Sequence, residues 1–549
     1  MVHHIPKGGA FLLPSRRASR TFFGGVLILG FGNLLVKVIG LFFKIPLSRL
    51  LGDEGMGYFN TGYTVYSWLF LIGCTGFPVA VSMLVSETAE RDGEEGRSGR
   101  SVLSVSLLFL FALGLIGCFA LLIFSSAIAE RIGNPGSSAS ISSIAPAVLF
   151  CSLSGGVRGY FQGKKRMGPT AVSQLIEATL KLVLGIAFAK RALSAGYALP
   201  DVAAAAIRGV TVGTVASAVF LLVELLLEPN ESLTKYKGRK RKNSRILSRR
   251  LLSIAFPITF SATVMSVTGL IDLVFVMRRL QHGGLDLSSA TAVFGNYTTL
   301  AVPFFNLPGI LITPIATGIV PFLSSDLVAG DERAAKRRSE AAIRSAVVLS
   351  VPAALWLGLF GKRILSFFFI RSSAALAAPT LSVLSPGIVF LALVTVSGAI
   401  LQARGRAGIT VLSMLLGAVV KTIVGFYLIG LPSVGILGAA IGTVLCYAVA
   451  ATVNLVCIVV LFGQRINLGA LLRPVLSATL SVALGFLLFS LLPDRDGTLS
   501  TVLLLLTAGA LYIPLSIIFG SVSYRDLECI PFLRNRSVRG RMKEKNDGV

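Results

Sequence analysis

The sequence predicts an all-α polytopic membrane protein: about fourteen transmembrane helices, in two six-helix lobes followed by two more helices. Three observations carry that expectation. Of 549 residues, 54% are hydrophobic and only 14% charged, with mean hydropathy +0.81. A soluble domain carries about 25% charged residues, so a water-exposed globule is excluded. Apolar runs near the roughly 20 residues needed to cross hydrocarbon recur along the chain. Finally, the chain repeats itself.

The expected spans lie near 23–46, 59–86, 101–124, 138–162, 168–189, 203–227, 251–277, 290–325, 345–369, 379–402, 409–430, 436–462, 475–492 and 499–521. The basic start shows no short apolar core ending in a small-residue cleavage site, which predicts a retained first helix. Pro303, Pro308, Pro314 and Pro321 crowd the eighth span, and Pro46, Pro78 and Pro257 interrupt others. Such breaks persist in a membrane where the freed backbone groups meet water or neighbouring helices, as along a transport path. Gly438 and Gly442 form a GxxxG in the twelfth span, a signal for close helix packing.

The repeat is clearest between QGKKRMGPTAVSQLIEATLKLVLG (162–185) and QARGRAGITVLSMLLGAVVKTIVG (402–425). It aligns Gln162 with Gln402, Ser173 with Ser413, Lys181 with Lys421 and Gly185 with Gly425. A second echo pairs VIGLFFKIPLSRLL (38–51) with VTGLIDLVFVMRRL (267–280). Six helices separate equivalent positions, so the lobes share one topology, related by an axis along the membrane normal. Duplicated lobes build central sites, which favours a transporter over an enzyme.

The net charge of +26 raises nucleic acid as a partner, but its distribution argues for topology. With both ends of the chain cytoplasmic, 35 of the 51 Lys and Arg fall on the cytoplasmic side and 10 on the other. The expected organisation is a basic segment 1–22, an N-lobe 23–228, a basic linker 229–250 containing KYKGRKRKNSRILSRR, a C-lobe 251–462, two helices within 463–521 and a basic tail 522–549. Six cysteines without CxxC spacing read as small packing residues, and three histidines stand apart from any acidic cluster. Neither a metal nor a cofactor is expected.

Charges inside spans identify the candidate site, because each costs about 2.5–3.5 kcal/mol at mid-membrane. Span one carries Lys37 and Lys44, with Arg49, Asp53 and Glu54 at its far end. Arg158 lies near the cytoplasmic end of span four, Glu177 and Lys181 in span five, Arg208 in span six, Asp272 in span seven and Lys421 in span eleven. Structural explanations compete. Glu177 and Lys181 are spaced for an intrahelical pair, and Arg158, Lys44, Arg49 and Arg208 could snorkel to headgroups. Lys37, about 21 Å into its helix with no acid one turn away, demands a cavity, a carboxylate or an anion. Lysine in surplus over the buried acids suits an anionic substrate.

Residues 37–87, KVIGLFFKIPLSRLLGDEGMGYFNTGYTVYSWLFLIGCTGFPVAVSMLVSE, and 158–177, RGYFQGKKRMGPTAVSQLIE, resemble the stage V sporulation protein B group. That group belongs to the multidrug/oligosaccharidyl-lipid/polysaccharide (MOP) superfamily, which also holds the MurJ lipid II flippases. The resemblance covers essentially the whole chain. It implies a non-enzymatic flippase in a bacterial plasma membrane, exporting an undecaprenyl-pyrophosphate-linked saccharide by alternating access. Basic first-helix residues of MurJ relatives contact the pyrophosphate, and Lys37 and Lys44 fall at similar places with lysine for arginine. Lysine binds as a point charge rather than a bidentate fork. The expected site is therefore Lys37, Lys44, Arg49, Lys181 and Lys421 for the pyrophosphate, with Asp53, Glu54, Glu177 and Asp272 as gate or ion relay. Expected partners are the lipid-linked oligosaccharide, membrane lipids, a coupling cation or proton and cell-wall synthases. The alternatives are a cation-coupled multidrug exporter of the same superfamily, a glycosyltransferase or polymerase, and a scaffold that moves no lipid.

Overall fold

A computed structural model describes residues 16–74, 76–92, 97–228, 244–464, 468–490 and 498–521. Residues 1–15, linker residues 229–243 and the tail 522–549 lie outside the described residues, with most of the KYKGRKRKNSRILSRR run, His3, His4 and Cys529. The helices are α1 (Arg16–Cys74), α2 (Gly76–Asp92), α3 (Arg97–Ile132), α4 (Ser138–Gly163), α5 (Gly168–Ser194), α6 (Leu199–Leu227), α7 (Ser244–His282), α8 (Leu287–Asn296) and α9 (Val302–Asn306). They continue with α10 (Gly309–Val328), α11 (Glu332–Phe368), α12 (Arg371–Leu384), α13 (Gly387–Ala403), α14 (Ala407–Ile429), α15 (Leu437–Phe462), α16 (Leu468–Ser490) and α17 (Thr498–Ile518). No strand occurs among the described residues. Nine helices among them are long and apolar enough to cross a membrane, or ten if the bent pair α12–α13 is one span.

Within the described residues every expected span falls mainly on helix, but three differ for physical reasons. Span one and the first part of span two run together as α1, whose one non-helical residue is Gly52 (φ 64, ψ −175), and the rest of span two lies on α2. A single left-handed residue reverses the chain, and glycine takes it without a Cβ clash. Span eight is broken: α8 passes through a π-helical turn (Tyr297–Ala301) into α9, and α10 follows Pro308. Prolines there remove backbone donors and forbid a continuous ladder. Span ten is bent by 50° between α12 and α13, at Ser385 and Pro386.

The turns at Gly52, Gly133, Gly196, Gly284 and Gly435 mark one end of the bundle, here the Gly52 end; those at Lys165, Gly330, Gly405 and Gly463 mark the other. One core joins α1, α3, α4, α5 and α6 through residues such as Phe43, Phe59, Ile144 and Ile207. A second joins α10, α11, α13, α14 and α15 through Ile319, Ile343, Val396, Met414 and Ile458. A third, around Leu273, Met277, Phe294 and Leu381, also takes in Ile132 and packs against Leu41, Ile45 and Val65, so it bridges the halves.

The halves meet at the Gly52 end with backbone against backbone. A Cβ on Gly57 would sit 2.2 Å from the Thr291 carbonyl oxygen, and one on Gly295 would sit 2.1 Å from that of Asp53. Polar contacts reinforce the crossing: Asn60 donates to Thr299 at 2.6 Å and Gln281 to the Gly133 carbonyl at 2.7 Å. At the opposite end Glu228, just past α6, accepts from Lys164 and Tyr160, both at 2.9 Å. Burial alone would push its carboxyl up; the hydrogen bonds from Lys164 and Tyr160 and the charges of Lys164 and Arg166 outweigh burial and hold it below the usual carboxylate range.

Two expectations follow. Gly57→Val should force α1 from α8, so that a cysteine placed at Ser67 in a cysteine-free background labels faster with a membrane-impermeant maleimide from the Gly52 end; an unchanged rate counts against the seal. Because the folded carboxyl of Glu228 titrates below its unfolded value, its stabilisation is present above the ordinary carboxylate range and is lost as pH falls through the depressed value. Thermal unfolding of Glu228→Gln should therefore show a smaller loss of stability on acidification than the native chain.

Candidate functional site

Two lysines at repeat-related positions occupy the fifth helix of each half, and the same packing device brings each inward. Gly213 of α6 lies against α5 at Glu177 and Lys181, and a Cβ there would sit 2.8 Å from the Glu177 carbonyl oxygen. Gly442 of α15 lies against α14, 3.2 Å from the Lys421 carbonyl oxygen by the same measure. The GxxxG at 438 and 442 thus packs α15 on α14 closely. Its counterpart, Gly209 and Gly213 in α6, is equally visible in the chain but was not among the expected signals.

The two lysines find different partners. Lys421 is buried, with its Nζ 2.9 Å from Asp272 Oδ2. Tyr297 donates its hydroxyl to the same oxygen at 3.1 Å. Lys181 has no carboxylate partner among the described residues: it donates to the Tyr63 hydroxyl at 2.9 Å, with Nζ 4.1 Å from the Tyr63 ring centre and 5.3 Å from that of Phe43. The register of the second repeat explains the difference, because residue 43 aligns with 272. Where the C-lobe lysine meets the Asp272 carboxylate, the N-lobe lysine meets the face of Phe43. Cation–π contact compensates an ammonium without neutralising it.

Lys44 donates to the Thr298 carbonyl at 3.0 Å, across the junction of the halves, and lies near enough to Lys181 for their charges to repel. Lys37, seven residues earlier and so on the same helical face, is exposed and makes no hydrogen bond or ion pair among the described residues. Arg49, exposed, bonds the Phe368 carbonyl at 3.2 Å, and Glu54 accepts from Tyr58 and Ser288, both at 2.8 Å. Asp53 contributes its carbonyl to the crossing with Gly295. Arg208 is exposed.

The intrahelical Glu177–Lys181 pair and the snorkelling of Arg158 are both corrected. Arg158 is buried, and its guanidinium reaches Glu177 at 3.0 Å, Ser173 at 3.0 Å and Ser217 at 2.8 Å. A guanidinium offers five donors in a fixed fork, which lets one side chain satisfy α5 and α6 together. Glu177 is thereby drawn toward α4, leaving Lys181 to the aromatic rings.

A cavity of about 310 Å³ opens between the halves, lined by Thr64, Ser67 and Trp68 of α1 and by Asp272, Tyr297, Asn306, Lys421, Thr443 and Tyr447. The indole N–H of Trp68 is buried there without an acceptor among the described residues. Of the expected site, this wall holds Asp272 and Lys421, and most of its other polar groups escaped the sequence reading. Serine, threonine, asparagine and tyrosine inside apolar spans carry no spacing that sets them apart.

Helices of this length and composition, in two repeated halves around a polar central cavity, define a multi-pass, two-lobed helical membrane protein. Within that class the chain belongs to the polysaccharide biosynthesis protein family, whose profile matches residues 22–326; a MatE profile also matches residues 257–427. Stage V sporulation protein B of Bacillus subtilis (strain 168) is 27% identical over 78% of this chain and 81% of its own length. Lipid II flippase MurJ of the same organism is 25% identical over 77% of this chain and 80% of its own. Among solved structures, an inward closed conformation of lipid II flippase MurJ superposes with TM-score 0.68 at 15% identity, covering 91% of this chain and 99% of that one. An inward-facing multidrug resistance MATE family transporter gives 0.66 at 16% identity, covering 78% and 94%.

Removing one member of a buried pair strands the other, at about 3–5 kcal/mol, whereas replacing both with apolar groups is close to neutral. Arg158→Leu should therefore lower the thermal stability of the detergent-solubilised protein strongly, and Arg158→Leu with Glu177→Leu should restore most of it. A double variant as unstable as the single one would contradict a self-contained pair.

Proposed function

We propose that this chain is a flippase for an anionic lipid-linked saccharide, of the undecaprenyl-pyrophosphate class, working by alternating access of an N-lobe (23–228) and a C-lobe (251–462). One observation carries the reading: Lys44 and Lys181 converge in the N-lobe without a carboxylate, while their C-lobe counterpart is neutralised by Asp272. Two ammonium groups held only by neutral acceptors and ring faces inside an apolar bundle are costly unless an anion shares the space. Phosphate-class headgroups suit them, because lysine engages such oxygens as a point charge. Lys37, on the same face as Lys44, would receive the headgroup first, and Arg49 would meet it at the Gly52 end.

The likeness to lipid II flippase MurJ and stage V sporulation protein B supports a lipid-linked cell-wall or polysaccharide precursor as cargo. The basic bias supports a bacterial plasma membrane location with both ends of the chain cytoplasmic. The role is binding and movement rather than bond chemistry. A cation or proton gradient would reset the lobes, Asp53 and Glu54 would serve the gate at the Gly52 end, and cell-wall synthases are the natural neighbours.

The rival, a multidrug exporter, draws on the MatE match and the MATE structural likeness. It needs an acid open to exchange in the empty protein; there Glu177 is held by Arg158 and Asp272 by Lys421.

The deciding measurement is translocation of lipid II in proteoliposomes. Lys44→Gln with Lys181→Gln should slow it at least about tenfold, a loss of about 1.4 kcal/mol of binding, and Lys37→Ala should slow it less. A folded double variant that flips at the native rate removes these lysines from the mechanism. Native protein that moves no lipid would favour the scaffold reading, and drug efflux dependent on Glu177 would favour the exporter.

A further inference from the structure

The two buried ion pairs differ in what they face. Arg158–Glu177 is bonded further by Ser173, Thr214 and Ser217 and does not line this cavity. Asp272–Lys421 instead forms part of the cavity wall. Asp272 faces Lys421 of α14 and Tyr297 of the π turn, with Thr443, Cys446 and Tyr447 of α15 around it, and Thr64, Ser67 and Trp68 of α1 across the cavity. Among the described lining residues Lys421 is the one cation and Asp272 the one anion. If the ammonium moved away, the carboxylate would be left with neutral donors inside an apolar bundle. A bare carboxylate there is costly, and the cheapest remedy is a proton.

Lysine is suited to moving. Its charge sits at the end of a flexible four-carbon stem, so the ammonium can change acceptor without shifting the helix. The geometry points to an exchange site: a phosphate-class anion entering the cavity takes the Lys421 ammonium, and the released Asp272 carboxylate takes up one proton. The balance is closed. Before exchange, ammonium and carboxylate cancel; afterwards the ammonium faces one anionic charge of the ligand, and Asp272 is a neutral acid whose new O–H bond takes one H⁺ from the buffered bulk solution. Anion occupancy and proton uptake are thereby linked one to one. This rests on the anionic-substrate reading above and adds what that reading lacks, a defined partner for the coupling.

The test uses the full chain in detergent, with inorganic pyrophosphate and farnesyl diphosphate as probes, binding followed by calorimetry and protonation by infrared difference spectroscopy. Binding to the native protein should produce the carbonyl stretch of a protonated carboxyl group. Asp272→Asn should bind at least as tightly with no such band, because the internal competitor for Lys421 is gone. Lys421→Gln should bind at least about tenfold more weakly. Asp272→Asn with Lys421→Gln, a neutral pair that strands no charge, should fold, bind weakly and give no band. A band with farnesyl diphosphate alone would assign the anion to a lipid headgroup; a band with both probes would assign it to the diphosphate itself. Binding without the band, or a band that survives Asp272→Asn, overturns the exchange while leaving the flippase reading intact. Failure of the native and Asp272→Asn proteins to bind either probe overturns both.

Discussion

An ammonium group carried on an apolar helix must be met by a dipole, a π face or an opposite charge, and that demand organises both halves of this molecule. Lys181 and Lys421 reach the interior because glycines on the next helix let two backbones approach closely. Close approach leaves little room for water, so the partner has to come from the protein. In one half that partner is a tyrosine hydroxyl and two aromatic faces; in the other it is a carboxylate. One residue in register, Phe43 against Asp272, decides which. The duplication therefore preserved the scaffold and the lysine while the opposing position diverged, and the divergence sets the charge of each half.

The junction of the halves obeys a different constraint. Gly57 and Gly295 allow α1 and α8 to touch through their backbones, and Lys44, Asn60 and Gln281 bond across the same boundary. The glycine contact is tight in one arrangement, and the apolar core around Leu273, Met277 and Phe294 extends the junction through Ile132, Leu41, Ile45 and Val65. The π turn and prolines of α8 to α10 lie beside this crossing, where a continuous helix could not follow the bend.

Much of this was legible in the chain. Hydropathy located the helices because a membrane span must be apolar for about 20 residues whatever it packs against. The repeat predicted two equivalent lysines, and the surplus of lysine over acid pointed to an anionic ligand. Pairing was not legible. Glu177 lies one turn from Lys181 in sequence, but Arg158 from α4 outcompetes it by bonding Glu177, Ser173 and Ser217 at once. Helical spacing shows which groups can meet within one helix and is silent about a third helix with more donors. The turn at Gly52 escaped for a related reason: a loop was expected where one left-handed glycine suffices.

The partners each charge has, and whether it lines the cavity, separate charges that hold the fold from charges free to act. Arg158 and Glu177 are bonded on several sides and do not line the cavity, so altering either is expected to cost stability. Lys44 and Lys181 are held by neutral acceptors, a carbonyl and a hydroxyl, which compete weakly with an anion. Asp272 and Lys421 lie between these cases, paired to each other but placed where a ligand can reach. A pair of that kind is stable only while nothing in the cavity binds lysine better than aspartate does. Its position, more than its strength, makes it the element through which occupancy of the cavity can change the charge state of the protein.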